Sequence, residues 1–301
     1  MTGETQIIFV PGMHPKPPVE QHEEMLWRCL LNGVGRAAPE LVREFAQRRD
    51  SFRVAPWSRL FYDEQIAIAP DLPGVERLLA LDGPEELDVE EASHWHKRIG
   101  RLIYLLCDKL PFLINVFAKP DMQEVLQETR RYFQDRDGVA TKIRQLVADR
   151  FLASWAPGSR LLVIAHSLGS VIAFETLWEL SQRKDSEIRI DLFMTLGSPL
   201  GLNFMRHRML NARETGARRY PTNIRRWVNL SAIGEMTALD RTFADDYREM
   251  KNLGLIESII DETNLQTWFR GPDGLNVHKC YGYMANERTG AALAAWLREE
   301  L

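Results

Sequence analysis

Short apolar runs alternate along this chain with longer stretches whose apolar positions recur at helical spacing. Residues 6–10 form a compact run, Gln6-Ile7-Ile8-Phe9-Val10, that stops at Pro11-Gly12 and reads as a buried strand. After the rigid loop Pro15-Lys16-Pro17-Pro18, the spacing predicts a helix over 19–31, with Asn32-Gly33 expected to close it. A second strand is expected within 52–61, interrupted by Pro56. From 62 to 152 the period becomes helical, as in Ile99-Leu102-Ile103-Leu106 and Val125-Leu126-Tyr132-Phe133. That block is too long for a bare connection. It predicts a helical insertion at about 62–138, with 139–152 packing back onto the core. Strand patterns return at 161–165, 188–196, 227–230 and 255–260. A helix is expected over 168–183, and a last one capped by Asn286 with Leu293, Ala294 and Leu297 on its apolar face.

Strands alternating with helices imply an α/β fold, a mostly parallel sheet with helices on both faces. A chain of 301 residues can bury one large core, so a single domain over 1–301 carrying the 62–138 insertion is expected. No stretch reaches the ~18 apolar residues of a membrane span. The nearest, from residue 102 onward, is broken by Asp108, Lys109, Pro111 and Asn115. With 45% hydrophobic and 27% charged residues the composition is that of a soluble globular protein, and a net charge of −4 argues against nucleic acid as a partner. Cys29, Cys107 and Cys280 show neither metal-ligand spacing nor a disulfide framework, so no metal and no cofactor is expected. The first residues lack the pattern of a secretory signal, which gives a cytoplasmic expectation.

The densest chemical signal is Leu161-Leu162-Val163-Ile164-Ala165-His166-Ser167-Leu168-Gly169-Ser170. An aliphatic run ends in a small-x-Ser-x-Gly turn and a helical pattern starts at once, which is how a nucleophile elbow reads. On this segment, on Phe9-Val10-Pro11-Gly12-Met13 and on Thr195-Leu196-Gly197-Ser198-Pro199, the chain resembles an α/β-hydrolase-fold protein of the esterase/lipase type. It departs in having Ala165 for the first elbow glycine and Pro11 where many members carry histidine.

The resemblance implies Ser167 as nucleophile and partners in the order serine, acid, histidine. Only His207 and His278 lie beyond Ser167. His207 precedes any plausible acid loop, whereas His278 follows the last expected strand, so His278 is the candidate base. Glu235, just past the strand at 227–230, is the favoured acid, and the W-x-N…[DE]-x-x-A spacing resembles lipase-like relatives with aspartate there. Asp240 is the alternative acid, though Thr237 and Asp240 also make a capping-box-like pair; Asp245, Asp246 and Asp261 stand behind it. The oxyanion hole implied is the backbone N–H of Leu168 with that of Met13. His166 is expected to turn away from the nucleophile; His22, His94 and His96 read as helix residues, and His14 could face a substrate.

The expected function is a serine hydrolase that cleaves carboxylic esters through an acyl-serine intermediate. A thioesterase or acyltransferase would use the same residues, and a catalytically silent scaffold that acts by interaction is the alternative of another class. The expected partner is a small-molecule ester. Residues 102–117 read either as a cap for an acyl chain or lipid, with peripheral membrane contact, or as plain core. Arg206, Arg208, Arg213, Arg218, Arg219, Arg225 and Arg226 read as a solvated face that could attract anions, and Lys16 is placed to touch a substrate carboxylate or phosphate.

Overall fold

The computed structural model describes residues 4–93, 120–235 and 242–301, with side chains given throughout except for 120–126. The 102–117 segment, read as either a cap or plain core, and His94, His96, Cys107 and Asp240 lie outside the described residues. A six-stranded sheet carries the molecule: β1 (Thr5–Val10), β2 (Phe52–Val54), β3 (Arg160–His166), β4 (Ile190–Leu196), β5 (Ile224–Ala232) and β6 (Ser258–Leu265). Their order is β2-β1-β3-β4-β5-β6 and every pairing is parallel. Parallel strands covered on both faces lose the polar–apolar alternation. Hence β3 and β4 are buried almost end to end.

One face of the sheet is covered by α1 (Val19–Ala37) and by α8 (Glu287–Leu297), which pack on Ile7, Phe9, Leu162 and Ile164 through Leu26, Leu30, Leu293 and Trp296. The other is covered by α5 (Val139–Ala153) and α6 (Leu168–Gln182), which pack on Ile8, Val10, Val163 and Phe193 through Ile143, Val147, Val171 and Phe174. Between β2 and α5 the described residues are helical or loop, including α2 (Leu72–Ala80), α3 (Glu86–Ser93) and α4 (Pro120–Gln134). A short helix, α7 (Cys280–Met284), precedes α8. Asn286 caps α8 by accepting the Arg288 N–H at 2.9 Å, as the sequence predicts.

Several boundaries move. The strand expected within 52–61 is only β2, and Ser58–Phe61 is a helical turn. The strands expected at 227–230 and 255–260 run over 224–232 and 258–265. The first helix does not stop at Gly33 but runs to Ala37. Gly33 is an interhelical contact: a Cβ there would meet the Met284 carbonyl at 2.7 Å, and one on Gly290 would overlap Gly33 itself. Two backbones crossing this closely have no room for a side chain on either. Among the described residues, no helix is long and apolar enough to cross a membrane.

The strand order places a site. From β1 the chain moves outward to β2, then returns to start β3 on the other side of β1. Connections therefore leave the carboxyl ends of β1 and β3 in opposite directions, and the crevice this opens is where ligands bind in open α/β sheets.

Candidate functional site

Four strand ends converge on that crevice. Register sets Val10 opposite Ala165, His166 opposite Leu196, and Leu196 opposite Leu230. The ladder continues one step into the loops: the Ser167 N–H donates to the Leu196 carbonyl at 3.0 Å and the Gly197 N–H to the Leu230 carbonyl at 2.9 Å. Residues 11–13, Ser167, Gly197 and the 232–235 turn are thus held level with one another.

Ser167 sits at the junction of β3 and α6 with φ 53° and ψ −132°. A non-glycine residue in that region costs on the order of 1–3 kcal/mol, held by its surroundings. Here Ser170 supplies the hold, its Oγ donating to the Ser167 carbonyl at 2.6 Å and lying 2.6 Å from the Ser198 Oγ. The second elbow glycine is required by space. A Cβ on Gly169 would fall on the Val10 and Pro11 carbonyls, so the loop after β1 could not pass beneath the helix start. That loop is pinned by the Trp57 Nε1–H, which donates to the Pro11 carbonyl at 2.7 Å.

The three residues favoured from sequence meet here. The His278 Nε2 lies 3.0 Å from the Ser167 Oγ, and its Nδ1 lies 2.7 Å from the Glu235 Oε2. Glu235 is 1% exposed, so its carboxylate acts on the imidazole across little water. A carboxylate can only accept, so Nδ1 carries the proton and Nε2 is left to accept from the serine hydroxyl. Glu235 reaches this position through a turn that needs Gly234, whose φ is +79° and whose Cβ would meet the Ala92 carbonyl at 2.6 Å.

Two further residues complete the arrangement, and neither was expected to. The Tyr283 hydroxyl donates to the Glu235 Oε2 at 3.1 Å and accepts the Ala232 N–H at 2.9 Å, bracing Glu235 against its own strand end. His166, expected to turn away from the nucleophile, lines the same cavity and packs against His278. Its ring lies 4.6 Å from the His278 ring, and its Nε2–H donates to the His278 carbonyl at 2.7 Å. Burial, then the neighbouring His278, holds the His166 pKa well below the ordinary value. It therefore holds the His278 backbone as a neutral ring.

The remaining candidates resolve as follows. Leu168 is the first residue of α6, where backbone N–H groups lack intrahelical partners, and Met13 lines the cavity in front of Ser167. Asp261 is not at the site: it accepts from the Asn229 Nδ2 and from the Phe243 and Ala244 N–H groups, all at 2.9 Å, tying β5 to the following loop. Trp227 of the W-x-N spacing ties β5 to β4 instead, its Nε1–H donating to the Thr195 Oγ1 at 2.9 Å. Asp246 pairs with Arg206 at 2.7 Å and Asp245 with Arg248 at 2.5 Å. His207 is exposed and its ring bonds the Asn203 carbonyl at 2.7 Å. Most of the arginine series has a local partner: Arg218 pairs with Glu214, Arg225 and Arg226 share Glu257, and Arg208 and Arg219 lie over the Phe204 and Tyr220 rings.

The cavity at Ser167 has a volume of about 220 Å³. Beyond the residues named, its wall includes His22, Asp71 and two lysines, Lys16 and Lys279. Cys29 and Cys280 are buried free thiols, and burial raises both pKa values. Among the described residues no group of three or more His, Cys, Asp or Glu side chains is placed to hold a metal ion. A scan against protein-family models gives no match, and searches of curated proteins and of solved structures give none.

Proposed function

We propose that this chain is an α/β-hydrolase-fold serine hydrolase acting on carboxylic esters. The observation that supports this reading best is the unbroken line from the Ser167 Oγ through His278 to the buried Glu235, with steps of 3.0 and 2.7 Å, at the mouth of a cavity. A serine hydroxyl is a poor nucleophile at neutral pH unless a base removes its proton as it attacks. We read His278, 3.0 Å from the Ser167 Oγ, as that base.

In this reading the Ser167 Oγ attacks the ester carbonyl carbon while its proton passes to the His278 Nε2. The carbonyl π pair moves onto oxygen, and the resulting oxyanion is met by the N–H groups of Leu168 and Met13. Glu235 stabilises the imidazolium, and His166 and Tyr283 keep base and acid aligned. The intermediate collapses, the C–O bond to the alcohol breaks, and His278 returns the proton to the departing alkoxide. Water, deprotonated by His278, then attacks the acyl-serine and releases the carboxylic acid and free Ser167. The 62–138 block is read as an insertion between β2 and the nucleophile strand.

A fluorophosphonate probe tests this directly. The purified chain is expected to be labelled on Ser167, as read by mass spectrometry of the modified peptide, and Ser167→Ala to take no label. A folded protein that takes no label at Ser167 defeats the reading.

A further inference from the structure

The wall of the cavity at Ser167 holds more charge than an ester bond requires. Lys279 is accounted for: its ammonium lies 2.7 Å from the Asp71 Oδ2 and 5.5 Å from the centres of the Phe269 and Tyr281 rings. Lys16 is not. Its ammonium donates to the Met13 carbonyl and, at 3.1 Å, to the His14 carbonyl. Carbonyl oxygens satisfy donors but do not cancel a unit charge, and among the described residues no carboxylate forms an ion pair with Lys16. Of three N–H donors, two are engaged. Burial is the main cause that lowers its pKa, to about 8, so it is still largely charged at neutral pH.

A second group points the same way. His22 on α1 is 2% exposed and lines the same cavity. Its ring meets Phe9 and Tyr281 edge-on at 6.2 and 6.0 Å, and its imidazole has no hydrogen-bond partner among the described residues. Burial, then the charges of Lys16 and Lys279, pushes its pKa down to about 3, so it is neutral and keeps one N–H to give. Buried polar side chains are ordinarily hydrogen-bonded, and this one lines a cavity in which an incoming polar group can take its N–H.

We propose that the ester cleaved at Ser167 carries a second, anionic group, a carboxylate or phosphate, which Lys16 binds as its counter-ion and to which His22 donates a hydrogen bond. This rests on Ser167 being the nucleophile. The cavity lies below the roughly 300–1,000 Å³ usual for drug-sized ligands, which suits a short charged arm. The lining sets two lysines against one aspartate, with Glu128 acting on Lys16 from outside it, and this favours an anion over a neutral arm of the same size. The anion belongs either to the acyl part or to the alcohol, and the two are separable.

The test uses matched esters on the full chain: 4-nitrophenyl hemisuccinate against its methyl ester for the acyl side, and acetyl glycerol 3-phosphate against acetyl glycerol for the alcohol side. The wild type is expected to prefer at least one anionic member by tenfold or more in kcat/KM, chiefly through KM. Lys16→Met is expected to remove most of that preference and His22→Phe part of it. Lys16 also straps the loop that carries Met13, but loosening that loop would slow both members of a pair alike, whereas the ratio reads the anion alone. The arm that shows the preference names the side. A wild type indifferent to the charge, or a preference that survives Lys16→Met, overturns the proposal. Calorimetric titration with glutarate and with glycerol 3-phosphate separates this from failure of the nucleophile reading. Binding that Lys16→Met abolishes supports the anion site even if Ser167 takes no label, and absence of binding by either ligand counts against it.

Discussion

Two buried glutamates show how differently the same side chain can be used. Glu175 and Glu235 are each 1% exposed, and each accepts a tyrosine hydroxyl, from Tyr132 at 2.6 Å and from Tyr283 at 3.1 Å. They differ in the next partner. Glu175, in the middle of α6, accepts the Leu210 N–H at 2.9 Å and lies 3.8 Å from the Arg144 guanidinium. Its neighbours are fixed in charge and belong to the scaffold, and burial raises its pKa. Glu235 faces an imidazole that itself touches a serine hydroxyl. Burial alone does not separate the two carboxylates; what separates them is that the partner of Glu235 lines the cavity at Ser167.

The largest effect that sharpens this contrast is Glu235→Gln. The glutamine amide presents a donor where the carboxylate only accepted, and it favours the wrong His278 tautomer. Turnover of a 4-nitrophenyl ester is expected to fall by roughly 10³–10⁴-fold, the scale seen when a triad acid is neutralised. The thermal midpoint is expected to change little. A loss of less than tenfold would move the acid role elsewhere, with Asp240 next to be tested.

Glu175→Ala should give the opposite pattern. Removing one partner of a buried charged cluster costs about 3–5 kcal/mol, because the other groups stay buried without it. Arg144, with a side chain only 6% exposed, would keep Glu179 at 3.1 Å but lose its second carboxylate, and Tyr132 would lose its acceptor. The melting midpoint is expected to drop by roughly 5–15 °C. Fluorophosphonate labelling of Ser167 in the fraction still folded should persist. If the variant melts like the wild type but labels slowly, the two glutamates are not separable and the contrast fails.

How much of this could be read from the chain follows from the range of each signal. β1, β3 and β4 are legible because a parallel strand covered on both faces is an apolar run, and Ser167 because its elbow is local. His278 and Glu235 are legible through their order along the chain and through a strand end that aims them. β6 is harder: its sequence, Ser-Ile-Ile-Asp-Glu-Thr-Asn-Leu, is an edge strand with a largely half-buried face, and the apolar pair just before it drew the expectation too early. The end of α1 was hidden because Asn-Gly is a local stop signal, whereas what Gly33 answers to is the approach of α7 and α8 some 250 residues later. His166 and Tyr283 were missed for the same reason. His166 bonds a residue 112 positions away and Tyr283 one 48 away, and no periodicity in the sequence records either contact.

The smallest effect asks whether the tyrosine beside Glu235 is bracing or only filling space. Tyr283→Phe keeps the ring, which is fully buried among α7 and its neighbours, and deletes one hydroxyl. That hydroxyl does two things, giving a bond to the acid and taking the Ala232 N–H. Its loss leaves a buried donor without its acceptor, at about 1–3 kcal/mol, and frees the Glu235 carboxylate on one side. If Tyr283 only supports the fold, the whole cost should appear in the melting midpoint with kcat unmoved. If it holds the acid in line with His278, kcat should fall by about three- to tenfold with KM nearly constant, because a misaligned acid weakens the transition state and not the binding of ester. The second outcome is expected. Tyr132→Phe, the matching deletion beside Glu175, should show the first, and finding the two variants alike would dissolve the distinction between the two carboxylates.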